Sequence, residues 1–130
     1  MPLVRIEALG PKTPQWRTAV FEEVHAALVE AFGIPEHDRF QRLVLHGPGN
    51  VATGDRPPES WTLVEITAFA GRSLEAKRKL YTALARRLSV RPGIPPASLM
   101  VVLHEEPRES WSVRGGTAAC DAALGYKVEV

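Results

Sequence analysis

Residues 1–9, "MPLVRIEAL", return sixty positions later as residues 61–69, "WTLVEITAF", and that echo decides the fold. Val4, Ile6 and Ala8 fall on Val64, Ile66 and Ala68, apolar at every second residue in both copies, as in a strand with one buried face. The same shift lays Val20, Phe21, Val24 and Leu28 on Leu80, Tyr81, Leu84 and Leu88, an apolar stripe at helical spacing. It also lays Gly33-Ile34-Pro35 on Gly93-Ile94-Pro95. Glycine suits the end of a helix, and a proline soon after prevents its continuation. A second strand closes each copy, ending in "LVLH" at 43–46 and "VVLH" at 101–104, so the first copy reads as two residues longer on the way. An even insertion leaves the facing of a strand unchanged.

The chain therefore reads as two β-α-β units, with strands near 2–9, 39–46, 61–69 and 98–105 and helices near 14–32 and 73–89. Thr13-Pro14 supplies a cap and a first-turn proline to the first helix, and Ser73 can cap the second. Each helix crossover makes its strand pair parallel. The expected fold class is α/β, or α+β by some schemes: a four-stranded mixed sheet with two helices on one face and a C-terminal arm. Repeat one spans 2–47, a Gly- and Pro-rich joining loop 47–60, repeat two 61–106 and the arm 107–130, together one domain. Leu3, Leu9, Leu63 and Phe69 are left for the opposite sheet face or its edges, where something should bury them.

Composition excludes several function classes. The formal charge of +1 on 130 residues gives no broad attraction to nucleic acid or to an anionic membrane. Lys77, Arg78, Lys79, Arg86 and Arg87 make the second helix basic, but they spread around it as on a solvated face. The run "LMVVL" is too short to span a bilayer, and a single cysteine, Cys120, needs no oxidising compartment, so a cytoplasmic protein is expected. His25, His37, His46 and His104 lack metal-ligand spacing, and no metal is expected. His46 and His104 read as equivalent strand ends.

Two β-α-β units behind a proline at position 2 resemble the tautomerase superfamily. The likeness to its malonate semialdehyde decarboxylase branch is carried by "MPLVRIEAL", "HAALVEAFGIPEHDRFQ", "AGRSLEAKRKLYTALARRL" and the late "SWS". The resemblance implies removal of Met1 and a catalytic amine on Pro2, with no cofactor. A free N-terminal proline is a basic secondary amine, whereas an internal one is a tertiary amide with no basic nitrogen. Burial or a nearby cation favours its neutral form, a base, and a nearby carboxylate its protonated form, an acid. Both remain open.

Arg72 follows the end of the strand near 61–69, which lies beside Pro2 if the two halves pair antiparallel, and its forked donors suit a substrate carboxylate. In the decarboxylases two arginines two residues apart hold the substrate, and the first aligns here with Ala70. Asp38 matches an active-site aspartate, able to tune Pro2 or activate water. Trp111 matches the tail, more as packing than chemistry, and "VRGG" after it departs from the family's aromatic and glycine pattern. His25 matches a histidine of the branch, with half-burial on its helix as the plainer reading.

The resulting expectation is a cofactor-free enzyme, trimeric by resemblance, that moves a proton on a small 2-oxo or 3-oxo carboxylic acid. Enol-keto tautomerisation comes first. Decarboxylation or hydration by the same Pro2, and a non-catalytic trimeric binding module, are the alternatives.

Overall fold

The computed structural model describes residues 1–130. Strands β1 (Pro2–Leu9), β2 (Phe40–His46), β3 (Thr62–Phe69) and β4 (Leu99–Glu106) form one sheet in the order β2-β1-β3-β4. Helices α1 (Pro14–Phe32) and α2 (Leu74–Val90) make the crossovers within the two parallel pairs, and β1 and β3 meet antiparallel at the centre. Every expected element is present, with boundaries displaced by one residue at most.

Local chemistry sets the helix ends. Thr13 accepts from the Trp16 amide at 3.1 Å and Ser73 from the Ala76 amide at 3.1 Å, each satisfying a first-turn donor that the helix leaves free. Gly33 stops α1 in a left-handed conformation (φ 65°) and returns its N–H to the Val29 carbonyl. The second helix does not stop alike. It ends at Val90 with Arg91 extended, because Pro92 disfavours helical geometry in the residue before it.

The pairing register corrects one sequence expectation. Ile6 lies opposite Leu43 and Ile66 opposite Leu103, so the repeat keeps its offset of sixty through the second strands. "LVLH" at 43–46 is the counterpart of "LHEE" at 103–106, no insertion separates the copies, and His46 corresponds to Glu106. Offsets of 58 and 60 give the same alternation of faces, so strand period could not tell them apart.

Val4, Ile6, Val64 and Ile66 project from the sheet against Val20, Val24, Leu28, Leu80, Leu84 and Leu88, all at most 1% exposed. Burial of such side chains contributes about 1.5–3 kcal/mol each. The basic residues of α2 face less open solvent than expected. Arg86 reaches Glu30 at 2.7 Å and Arg87 reaches Glu23 at 3.2 Å across the helix pair, and Lys77 pairs with Glu105 of β4. No helix is long and apolar enough to cross a membrane.

The opposite sheet face is open, carrying half-buried Leu3 and Leu63 beside exposed Phe40, Val44, Met100 and Val102. Phe69 is not on it. That ring is 0% exposed, buried by the chain's own arm through Trp111, Ala119 and Val128. The arm closes onto the turn after β3, where the Ser73 amide donates to Val130 and the Cβ that Gly71 lacks would come within 3.3 Å of Val128.

Candidate functional site

Antiparallel pairing sets Pro2 opposite Ala68, so the beginning of the chain meets the turn that leaves β3. The loop between α1 and β2 arrives at the same end. Its shape is held by the Asp38 amide, which donates to Pro35 at 3.0 Å, and by His25 of α1, whose Nε2–H donates to the Glu36 carbonyl at 2.8 Å. A carbonyl can only accept, so this contact defines the protonated ring nitrogen.

The free amine belongs to Met1, and it donates to Asp38 Oδ2 at 2.7 Å and to the Tyr126 hydroxyl at 2.8 Å. Both contacts are partly buried, where a charge-assisted hydrogen bond is stronger than at an exposed surface. Burial, and then the Asp38 carboxylate, push the Tyr126 phenol above its ordinary range, with Arg72 pulling the other way. Tyr126 is therefore a neutral hydroxyl at physiological pH.

Arg72 lies behind this group. Its guanidinium donates to the Phe69 carbonyl at 3.0 Å and stacks 4.7 Å from the centre of the Phe32 ring, while Nε and a second terminal nitrogen are buried without a partner. Burial lowers its pKa, and Tyr126, Glu105 and Asp38 oppose that shift. The side chain is 5% exposed and is not part of the cavity wall, so the open guanidinium fork expected from the sequence is instead a covered charge beside Tyr126 and Asp38.

The amine opens into a cavity of about 780 Å³ between the β1 end, the 35–40 loop and the arm. Leu3, Phe69, Trp111 and Leu124 give it an apolar side, with Trp111 edge-on to Phe69 at 5.0 Å. The structure thus gathers the chain start, Asp38 and Trp111 around one space and sets Arg72 directly behind it. It leaves His25 outside the cavity, anchoring the Asp38 loop.

Tyr126 is the residue that sequence reasoning missed. Its one signal was the weak alternation at the chain end, where Tyr126 and buried Val128 share a parity.

An amine at the head of the first of two fused β-α-β units, set against a carboxylate at the wall of a cavity, defines a class, and the chain belongs to the tautomerase family. A family model described as tautomerase enzyme matches residues 38–114, and a second of the same description matches residues 2–59. The chain is 28% identical over 123 residues to the probable tautomerase YrdN of Bacillus subtilis (strain 168), covering 91% of this chain and 95% of that protein. Among solved structures it is similar to FG41 malonate semialdehyde decarboxylase inhibited by 3-bromopropiolate, with TM-score 0.82 and 30% identity over 89% of this chain and 92% of the other. It is also similar to a fused 4-OT symmetric trimer, with TM-score 0.82 and 25% identity over 91% and 96% of the two chains.

Proposed function

We propose that the protein is an enzyme in which removal of Met1 frees the Pro2 amine to transfer a proton on a small 2-oxo or 3-oxo carboxylic acid, enol-keto tautomerisation being the reaction. The observation that carries this reading is the main-chain amine on the wall of the cavity, held between Asp38 and Tyr126. Loss of one residue withdraws the amine to Pro2 and vacates the space that Met1 fills, leaving Asp38 and Tyr126 to face the incoming substrate.

In the reaction the neutral Pro2 nitrogen takes the proton of the enol hydroxyl, the O–H electron pair forms the carbonyl, and the carbon end of the enol takes the proton back. Nothing is consumed. Asp38 sets how readily Pro2 holds that proton, since a carboxylate beside an amine stabilises the charged form. Arg72, covered behind Tyr126, supplies the opposing positive charge and acts on a substrate carboxylate through that charge without touching it. Trp111 forms the apolar wall, and His25 positions the Asp38 loop without touching substrate.

Likeness to a trimeric fused 4-OT, and an open sheet face with Phe40, Val44, Met100 and Val102 exposed, support a homotrimer packed through the sheets. Sedimentation as a stable monomer would remove that part of the reading.

Intact mass from the native host should be short by one methionine, and Pro2→Ala should lower the rate of proton transfer by about 10² to 10⁴ while the oligomer persists. Unchanged turnover by that variant would eliminate Pro2 as the base and leave a binding module. Likeness to malonate semialdehyde decarboxylase favours carbon dioxide loss as a second reaction of the same amine. Release of carbon dioxide from malonate semialdehyde tests it directly.

A further inference from the structure

Glu105 breaks the pattern of its strand. Val101 and Leu103, on the side of β4 that packs against the helices, are followed at the next inward position by a carboxylate, where the first repeat has Leu45. The register sets Glu105 beside Ala68, which itself lies opposite Pro2. A charged side chain thus stands on the helix side of the sheet, two strands from the candidate base, at a position that apolar packing ordinarily fills.

Two cations answer it unequally. Lys77, in the first turn of α2, pairs with Glu105, and both side chains are half-buried, whereas the neighbouring Arg78 and Lys79 are exposed. Arg72 is the second cation. Burial lowers its pKa, and among the groups that oppose this shift Glu105 comes after Tyr126 and ahead of Asp38. Yet Arg72 spends its one hydrogen bond on the Phe69 carbonyl, and Nε and a terminal nitrogen stay buried without a partner. Two cations against one carboxylate leave the cluster one net positive charge, and loss of Lys77 would leave it none. A half-buried carboxylate stripped of its partner is costly, and the free donors of Arg72 are the replacement at hand.

We infer that Lys77 is a positioning residue for the proposed proton transfer: by holding Glu105 it leaves the charge of Arg72 uncancelled behind Asp38 and Tyr126, where that charge acts on the substrate carboxylate. The inference rests on the Pro2 reading for its reaction. Its electrostatic part stands apart from that reading, because Tyr126 feels the same Arg72 charge.

Deuterium uptake from solvent into 2-oxobutanoate by the processed protein, followed by NMR, gives kcat and KM. Lys77→Met should raise KM by about tenfold with kcat changed less, the scale of one unit charge acting across a partly buried site. Adding Glu105→Gln should bring KM back to within about twofold of the wild type, and Lys77→Arg should preserve it. An unchanged KM in Lys77→Met, or a rise that Glu105→Gln does not reverse, overturns the assignment. The second measurement needs no turnover: tyrosinate absorbance of each protein, less that of its Tyr126→Phe counterpart, removes Tyr81 and isolates Tyr126. Tyr126 should titrate at higher pH in Lys77→Met than in Lys77→Arg, whose side chain keeps its charge throughout. Glu105→Gln alone should move the Tyr126 titration down, a check that holds even where Lys77→Met does not fold. Equal Tyr126 titrations in these proteins remove Lys77 as a positioning residue, whereas undiminished exchange in Pro2→Ala removes the proposed base and leaves the titration to judge Lys77.

Discussion

The two repeats offer a comparison within one chain, because the offset of sixty relates Pro2, Asp38 and Arg72 to Thr62, Ser98 and Lys12 at the opposite end of the sheet. At the second end every group is answered. Ser60 and Ser98 share a 2.8 Å hydrogen bond, Thr62 donates to the Ser60 carbonyl at 3.1 Å, and Lys12 donates to Glu59 at 3.0 Å while lying 4.9 Å from the centre of the Trp16 ring. The backbone nitrogen ahead of Thr62 is an ordinary amide, donating to Pro57 at 3.1 Å. At the first end the nitrogen is an amine, a carboxylate replaces a serine, and two donors of Arg72 are unused. One β-α-β plan thus gives one end whose polar groups pair with one another and one that keeps an amine, a carboxylate and unpaired donors. The difference lies in where the chain starts and where its arm lands.

The strongest way to break this comparison is to exchange the two ends by mutation. Pro2→Ala in the processed protein should lower the tautomerisation rate by about 10² to 10⁴, the range supplied by a well-placed general base. Thr62→Val should leave the rate alone and cost about 1 kcal/mol in urea unfolding, the worth of one hydrogen bond. Rate loss at Thr62, or none at Pro2, would end the assignment of chemistry to the first end.

Next in size is the arm. Phe69→Ala should cost about 3–5 kcal/mol, because a fully buried aromatic leaves a cavity that its surroundings fill only in part. The corresponding residue of the first repeat, Leu9, is only half-buried with no arm above it, and Leu9→Ala should cost clearly less. Equal losses in chemical denaturation would mean that the arm contributes little at the first end.

Why the fold was legible and half of the site was not follows from the range of the signals. Val4, Ile6 and Ala8 announce their strand through period two, and Thr13, Gly33 and Ser73 announce helix ends through local hydrogen bonding. Such signals need no knowledge of the partner element. Register is different: the match of "LVLH" to "VVLH" misled because any even offset satisfies the same facing. Pro2 and Asp38 could be picked out from chemistry joined to a resemblance. The cover over Arg72 could not, since it is built by Phe32, Phe69 and the arm, and arginine is ordinarily exposed. Tyr126 lay further out of reach, in a segment whose one pattern is a weak alternation and whose path is decided by contacts of Val128 and Ala119 with Phe69.

Tyr126 also permits the finest test of the contrast, for Lys12 and its neighbours at the second end include no phenol that could mimic it. Burial and the Asp38 carboxylate raise the Tyr126 pKa above the ordinary value near 10, so the folded chain holds the phenolic proton more tightly than the unfolded chain. A group raised on folding contributes stability that is fully present below the unfolded pKa and is lost as pH climbs through the folded one. The stability advantage of the wild type over Tyr126→Phe should therefore be flat from pH 7 to about 9 and shrink above about pH 10. Thermal melts of the two proteins in parallel measure it. A difference that grows with pH would mean that the phenolate is the favoured form, with Arg72 rather than Asp38 governing the tyrosine.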